Sequence, residues 1–142
     1  MSLLAESLVE EWLNRAGYFT IRGARFGVSE MDLLAVRQSA DGLKATHIEC
    51  QVSTNPIASI SPFSDADVKT YGKLKTSAWM RPPAVLEACV AGWIEKKFTS
   101  ASEVAARNKA WRGLDWSYEL VHGVVRHPSE LDFIRAKKNQ KL

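Results

Sequence analysis

The chain has 142 residues, of which 46% are hydrophobic and 25% are charged, and its formal net charge is +3. This composition is ordinary for a globular protein and excludes a disordered, collagen-like or low-complexity chain. The length suits one domain with its own core, so we expect a single domain over residues 1–142. Residues 1–65 carry a net charge of −3 and residues 66–142 a net charge of +6. That division fits either simple solubility or an acidic site beside a surface that attracts polyanions.

The opening segment, MSLLAESLVEEWL, is broken by three glutamates, so we do not expect it to act as a signal peptide. No run of about 18 apolar residues follows, and we expect a cytoplasmic protein without a membrane partner. Cys50 and Cys89 lie in apolar surroundings without the spacing of a zinc site. We expect both to be small buried thiols rather than a disulfide.

The first half of the chain predicts one helix followed by three strands. Apolar residues recur at helical spacing over residues 3–16, and Gly17 follows at the position of a C-terminal cap. Alternating or apolar segments bounded by turn residues predict the strands, at residues 18–26, 30–37 and 45–53. We expect turns at Gly27 and at residues 40–42.

The second half predicts mainly helices. Helical spacing, a capping-box pattern from Ser100 to Glu103 and a proline at residue 128 predict helices over residues 67–80, 84–98, 100–111 and from 128 onwards. The β-branched residues of the second of these segments leave a strand open as an alternative. A buried strand is predicted over residues 117–126. The basic tail, 135–142, is expected to be frayed and solvated, with phosphate contact as the alternative.

The segment HIECQVS alternates polar and apolar side chains. Because successive residues of a strand point to opposite faces, His47, Glu49 and Gln51 share one face. The acid in the apolar part of the neighbouring predicted strand, EMDLLAVR, is Asp32. A carboxylate in a strand that is covered on both faces costs free energy unless a positive charge meets it.

These acids can converge on one point. If the second and third strands are neighbours, Asp32 and Glu49 come together, and two carboxylates with a main-chain oxygen make a site for a hard cation such as Mg²⁺. Glu6 borders the apolar face of the first helix and can lean towards the same point. Taken singly, Asp32 could instead accept backbone hydrogen bonds, and Glu49 could pair with Arg22 or Arg25.

Together these residues resemble the PD-(D/E)xK, or restriction-endonuclease-like, nuclease superfamily. The matching pieces are AESLVEEWLNRAGY for the first helix, SEMDLLAV for the strand with the metal-binding aspartate, and HIECQV for the strand with the E-x-K motif. The resemblance covers residues 4–53. It implies an α/β fold in which a central mixed sheet of about four strands is flanked by helices, in the order helix-strand-strand-strand-helix-strand.

The resemblance also implies roles for particular residues. Asp32 and Glu49 would bind Mg²⁺ or Mn²⁺ together with the carbonyl of Cys50, and Glu6 would support the metal or its water. Gln51 stands where the superfamily usually has a lysine. That lysine places positive charge near the attacking water, whereas an amide can only orient groups through hydrogen bonds.

A cation from elsewhere in the chain could compensate for the missing lysine. Lys69 and Lys73 are four residues apart on the predicted 67–80 helix and therefore share a face. They could project towards the site or bind DNA, and a solvated basic face is the alternative interpretation.

Histidines and tryptophans add little to this prediction. We expect His47 to be exposed, and we assign no role to the other histidines, His122 and His127. Three tryptophans fit apolar helix faces and are expected in the core: Trp12, Trp79 and Trp93. Packing in the core or at its rim is also expected for Trp111 and Trp116, with stacking on nucleic-acid bases as the alternative.

The favoured hypothesis is a metal-dependent endonuclease that hydrolyses phosphodiester bonds in DNA and acts as a homodimer, both DNA and the dimer being implied by the resemblance. The alternative is a nuclease-fold protein that has lost turnover and binds nucleic acid or acts as a scaffold. A third hypothesis is an interaction protein without a nucleic-acid role, which predicts no salt-dependent DNA binding.

Overall fold

A computed structural model describes residues 3–75, 77 and 79–139. In chain order these residues form α1 (Leu3–Arg15), β1 (Phe19–Phe26), β2 (Ser29–Ser39), β3 (Gly42–Gln51), α2 (Asp65–Tyr71), α3 (Pro83–Ile94), a π-helix (Glu95–Thr99), α4 (Ala101–Ala110), β4 (Trp116–His122) and α5 (Ser129–Asn139). They divide into two compact units, the first from residues 3–52 and 97–122 and the second from the described residues of 53–96 and 123–139. None of the helices in these ranges is long and apolar enough to cross a membrane.

The first unit is built on a sheet in which the described strands have the order β1-β2-β3-β4. Strands β1, β2 and β3 pair antiparallel, and β4 pairs parallel to β3. Helix α1 covers one face, where Leu13 packs with apolar residues of β2 and β3, and α4 covers the other through Ala106. The predicted α/β class, with a mixed four-stranded sheet flanked by helices, is confirmed for the described residues.

Two glycines make the turns between the antiparallel strands. Gly27 has a φ of 61° and Gly42 a φ of 112°, a region of backbone space that side chains with a Cβ rarely enter. The turns predicted at Gly27 and at residues 40–42 are therefore confirmed.

The predicted 67–80 helix is wrong beyond Tyr71. Ser64 caps α2 with a reciprocal capping box to Asp67, and Gly72, with a φ of 62°, ends the helix after two turns. A glycine in this conformation closes the helix with a backbone hydrogen bond to Val68. Residues 76 and 78 of the predicted helix lie outside the described residues. Among the described helices that follow β3, α4 is the one that packs on the sheet of the first unit.

The other predicted elements differ mainly at their ends. The 84–98 segment is helical as α3 and the π-helix, so the strand alternative is wrong. The last predicted strand ends at His122, just before Gly123, and its residues are half-buried or exposed rather than buried as predicted. Val125 forms only an isolated bridge to Ile57. Helix α5 continues to Asn139, so the fraying predicted from Arg135 is wrong over those residues. Residues 140–142 lie outside the described part of the chain.

The orientation of α1 differs from its predicted apolar face. Trp12 is 65% exposed, whereas Ala5, Glu6 and Leu13 are buried. The prediction that Trp12 is a core residue is wrong, while Trp93 in α3 is buried as predicted. Hydrophobic burial alone would turn the tryptophan inwards and the glutamate outwards. A helix that does the opposite points to a role for Glu6 other than packing.

A buried ion pair joins parts of the second unit. Glu130 of α5 accepts hydrogen bonds from the main-chain N–H groups of Ile60 and Ser61, from the Ser61 hydroxyl and from the guanidinium of Arg81. Arg81 also donates to the Ser61 carbonyl at 2.7 Å. Both charged side chains are almost fully buried, so each depends on the other for neutralisation.

Glu130→Ala is expected to lower the free energy of unfolding by about 3 kcal/mol or more, because the substitution leaves the Arg81 charge buried without its partner. Chemical denaturation measures this change. The matched control is Glu87→Ala, which removes an exposed glutamate whose ion pair to Lys137 spans 3.9 Å and should cost less than about 1 kcal/mol. Similar losses for the two variants would contradict the prediction.

Candidate functional site

Asp32 and Glu49 lie side by side where the pairing of β2 with β3 ends. The last paired positions are Leu33 and Ile48, so Asp32 and Glu49 are the next residues in the same register. Oδ2 of Asp32 accepts a hydrogen bond from the main-chain N–H of Cys50 at 2.8 Å, and the N–H of Asp32 approaches Oε1 of Glu49 at 3.4 Å. Side chains thus replace the backbone ladder at this point, and both carboxylates are buried.

Strand β2 departs from regular alternation at the same place. Leu33 packs on the α1 face of the sheet, but Met31 packs with Leu34 on the α4 face. In a regular strand Met31 and Leu33 would share a face. Asp32 lies between these two residues. Departures from regular strand alternation change the direction of a side chain and are frequent next to functional sites.

Glu6 of α1 is the third acid near this point. It is only 4% exposed, and its Oε1 has no hydrogen-bond partner among the residues that the structure describes. Its charge contributes to a raised pKa at Asp32. A buried carboxylate oxygen without a partner is costly, and one beside two further acids is a candidate ligand for a cation or its water.

Burial raises the pKa of Asp32 to about 6. The hydrogen bond from the Cys50 N–H opposes this shift, and the charges of Glu49 and Glu6 add to it. Asp32 therefore pays a free-energy penalty for ionisation in the folded protein, and a bound cation would remove that penalty.

Asp32→Asn is expected to stabilise the metal-free protein near pH 7.5 by about 2 kcal/mol and to lose this advantage near pH 4. Because the pKa of Asp32 is higher in the folded than in the unfolded chain, the folded state binds more protons between those two values. Its unfolding free energy therefore falls as the pH rises towards and through the folded pKa of about 6. Urea denaturation in a metal chelator at both pH values measures the difference.

The matched control for this effect is Asp41→Asn, in the exposed turn between β2 and β3. It should change the unfolding free energy by no more than about 0.5 kcal/mol at either pH. A gain for Asp32→Asn that is equal at both pH values, or a loss near pH 7.5, would sink the prediction.

Lys97, which the sequence did not single out, brings positive charge to the acids. Its Nζ lies 3.0 Å from Oε2 of Glu49, and its side chain is 31% exposed. Burial alone would lower the pKa of Lys97, but the charges of Glu49 and Asp32 outweigh it and raise the pKa. The ammonium therefore stays protonated beside the acids.

The π-helix supplies this lysine. Residues Glu95–Thr99 follow α3, and Phe98 is fully buried next to Lys97. π-helical turns interrupt the ordinary spacing of a helix and are frequent at functional sites. In the sequence, EKKF has the composition of a solvated helix end. No local pattern indicates that Lys97 lies beside the acids.

His47 is fully buried, so the prediction that it is an exposed strand histidine is wrong. Its Nε2 lies 3.1 Å from Oε1 of Glu49 and its Nδ1 lies 3.1 Å from Nη1 of Arg107. Burial lowers the pKa of His47 despite the opposing effect of Glu49. The polar face of HIECQVS, which suggested exposure to solvent, is covered by helix α4, whose Arg107 contacts His47. The polar residues on this face therefore indicated a buried polar cluster.

Glu49 is held by two partners. Burial would raise the pKa of Glu49, but the hydrogen bond from His47 and the charge of Lys97 outweigh it, and the pKa is lowered. The alternative partners proposed from the sequence are wrong: Arg22 contacts Ser7 and Glu10, and Arg25 pairs with Glu30.

Glu103 of α4 is a further buried acid in the same unit. Its Oε2 has no hydrogen-bond partner within the described ranges, and burial, followed by the charge of Glu49, raises its pKa. The N–H of Glu103 donates to the Ser100 hydroxyl as the predicted helix start requires. The sequence pattern explained this residue only as part of a helix cap.

The remaining predicted site residues are placed differently. Gln51 is the last residue of β3, on the face of the strand that carries Glu49 by alternation. Lys69 belongs to α2 and Lys73 follows its cap, so the predicted shared helix face is wrong. Nζ of Lys73 lies 5.8 Å from the centre of the Trp79 ring. Both lysines are in the second unit.

The donor set fits a hard cation in part. No group of three or more histidine, cysteine, aspartate or glutamate side chains among residues 3–75, 77 and 79–139 is arranged to hold a metal ion. Mg²⁺ keeps several waters, however, and is commonly bound by one or two carboxylates. Asp32 and Glu49, with the unpartnered oxygen of Glu6 nearby, satisfy that smaller requirement. Burial raises the pKa of the Cys50 thiol to about 12, so the thiol stays protonated and is not a metal ligand.

Comparison of the chain with models of known protein families, with curated protein sequences and with solved structures finds no significant match.

Proposed function

We propose that the chain is a restriction-endonuclease-like domain of the PD-(D/E)xK type that hydrolyses phosphodiester bonds in DNA with Mg²⁺ or Mn²⁺. The order of α1, β1, β2 and β3 supports this proposal, as does the parallel pairing of β4 with β3. Because one fold hosts many functions, this architecture supports the proposal less than the site does.

The observation that carries the proposal is the meeting of two acids and one cation in the first unit. Asp32 and Glu49 adjoin at the end of β2–β3 pairing, and the ammonium of Lys97 lies 3.0 Å from Glu49. Two adjacent carboxylates can hold a divalent ion, and a lysine beside them can neutralise negative charge that develops on a phosphate.

Asp32, Glu49 and the carbonyl of Cys50 would hold the metal, and Glu6 would orient its water. When bound, the ion lowers the pKa of a water molecule and polarises the phosphate. The contact with His47 and the charge of Lys97 lower the pKa of Glu49 against the effect of burial, so that carboxylate remains ionised.

Lys97 would take the part of the lysine that Gln51 replaces. Its protonated amine can neutralise the negative charge that develops on the phosphate oxygens in the transition state. The amide of Gln51 can donate a hydrogen bond to the attacking water or to a phosphate oxygen, but it cannot supply charge. The two residues together divide the orienting and neutralising functions of one lysine.

DNA is the proposed partner, and basic residues of the second half, including Lys69 and Lys73, are proposed to bind its backbone. A homodimer is proposed because two such domains can grip both strands. DNA affinity is then expected to fall steeply with salt, as counterion release requires.

A metal titration tests the proposal. Saturating Mg²⁺ or Mn²⁺ is expected to raise the melting temperature of the wild-type protein by about 5 °C, and plasmid or branched DNA should be nicked under the same conditions. Asp32→Ala should lose both effects, and Asp41→Ala should keep both. Equal metal responses in the two variants would argue against the site.

A second candidate function is a nuclease-fold protein that binds nucleic acid without turnover. It is favoured by Gln51 in the lysine position and by Lys97, whose ammonium lies 3.0 Å from Oε2 of Glu49 and neutralises that carboxylate. This candidate predicts salt-dependent DNA binding that ignores Mg²⁺ and no cleavage by the wild type or by Gln51→Lys.

A further inference from the structure

A buried histidine–arginine pair lies against Glu49 and has no direct part in the proposed chemistry. Nη1 of Arg107 donates to Nδ1 of His47 at 3.1 Å and to the Phe98 carbonyl at 2.6 Å. Nη2 of Arg107 donates to the Tyr118 hydroxyl at 3.2 Å. The Phe98 ring meets the imidazole edge to face, at 4.9 Å between ring centres. The imidazole is thus confined in its plane by packing and at both nitrogens by polar contacts.

These contacts define which nitrogen of His47 carries the proton. A guanidinium has only donors, so Nδ1, facing Arg107, must accept. The proton of the neutral ring then resides on Nε2, the nitrogen 3.1 Å from Oε1 of Glu49. Without Arg107 either tautomer would be open to the ring, and one of them could not donate to Glu49.

We propose that His47 is a positioning residue for Glu49 and that Arg107 acts through it by selecting the tautomer that donates. The proposal rests on the proposed function, in which Glu49 binds the metal. Rotation of a glutamate carboxylate about its last torsion is soft, so the donor at Oε1 and the ammonium of Lys97, 3.0 Å from Oε2, together set its direction. With Oε1 engaged by His47, Oε2 is the oxygen for which the metal would compete with Lys97.

The test compares substitutions at His47 that keep or remove the donor. His47→Leu fills the space without a donor, whereas His47→Gln can donate to Glu49 and accept from Arg107. The first should raise the half-saturating Mn²⁺ concentration about tenfold or more, as loss of an outer-shell partner of a metal ligand does. The second should stay within about threefold of the wild type. Thr46→Val, on the same strand as His47, removes a hydroxyl contact to Ser117 of β4 and should leave Mn²⁺ binding unchanged.

Nuclear magnetic resonance of the full chain measures the protonation of the His47 ring and the environment of Glu49 without added metal. The ¹⁵N signals of the His47 ring should identify Nε2 as the protonated nitrogen in the wild type. The ¹³C signal of the Glu49 carboxylate should move in His47→Leu and stay near its wild-type position in His47→Gln. Because the tautomer is read in the wild type, a variant that fails to fold does not remove the test.

Two results would overturn the positioning role: protonation of His47 on Nδ1, or equal Mn²⁺ affinity in the wild type and His47→Leu. A wild-type protein that responds to neither metal would instead refute the proposed metal site. In that case the ring tautomer and the Glu49 carboxylate signal decide the role of His47 alone, so the two failures are distinguishable.

Discussion

If the proposed function is right, Glu49→Gln is expected to reduce metal-dependent DNA cleavage by about a thousandfold, because the substitution removes the charge of a proposed metal ligand without changing the shape of the side chain. The carbonyl oxygen of the new amide can still accept the hydrogen bond from His47, so the buried contact at that position is kept. Lys97 loses its ion-pair partner but is 31% exposed and can turn to solvent. Single-turnover cleavage of plasmid DNA in Mg²⁺ and Mn²⁺ measures the effect.

Glu119→Gln is the matched control for Glu49→Gln. Glu119 is exposed on β4 and is paired in register with Ile48, so it lies on the opposite face of the sheet from Glu49. Its substitution should change cleavage by less than about twofold. Retention of full metal-dependent cleavage by Glu49→Gln, in a protein with wild-type melting temperature, would refute the proposed metal centre.

The sheet of the first unit follows from local sequence patterns. Period-two alternation marks β1 and β3, an apolar run marks β2, and glycines mark the turns where positive φ is required. These signals act over a few residues. The sequence pattern predicts too long a helix for α2, because apolar residues at helical spacing continue past Gly72. That glycine nevertheless ends the helix. A periodic pattern predicts which residues can share a helix face. It does not show whether a capping glycine ends the helix before the pattern does.

The two acids of the candidate site were accessible to the same kind of reasoning, since Asp32 and Glu49 lie on consecutive strands that pair locally. Lys97 and Arg107 were not. Lys97 comes 48 residues after Glu49, and Arg107 comes 60 residues after His47. Contacts over such separations leave no local pattern. Their direction depends on a π-helix and on the packing of α4, and neither leaves a periodic signal in the sequence.

Lys97→Met is expected to lower cleavage by about a hundredfold while metal binding is kept or strengthened. The methionine retains much of the aliphatic volume but removes the charge that, in the proposed function, stabilises the transition state. It also removes the cation that competes with the metal for Oε2 of Glu49. Cleavage rate and half-saturating Mn²⁺ concentration, measured on the same protein, separate the two effects. Lys96→Met, at the exposed neighbouring position, is the matched control and should leave both quantities unchanged.

A second substitution decides whether the charge of Lys97 or only its packing is needed. If Lys97 has taken over the charge of the missing lysine, adding Gln51→Lys to Lys97→Met should return a lysine to the strand that carries Glu49 and recover about tenfold in rate. If Lys97 acts only through packing, no recovery is expected, because a lysine at residue 51 on β3 does not replace the side chain lost at residue 97. A rate loss in Lys97→Met that Lys96→Met reproduces, or that Gln51→Lys leaves unchanged, would show that the lysine does not act through its charge. Recovery in the double variant would mean that a lysine beside Glu49 can be supplied from either residue 51 or residue 97.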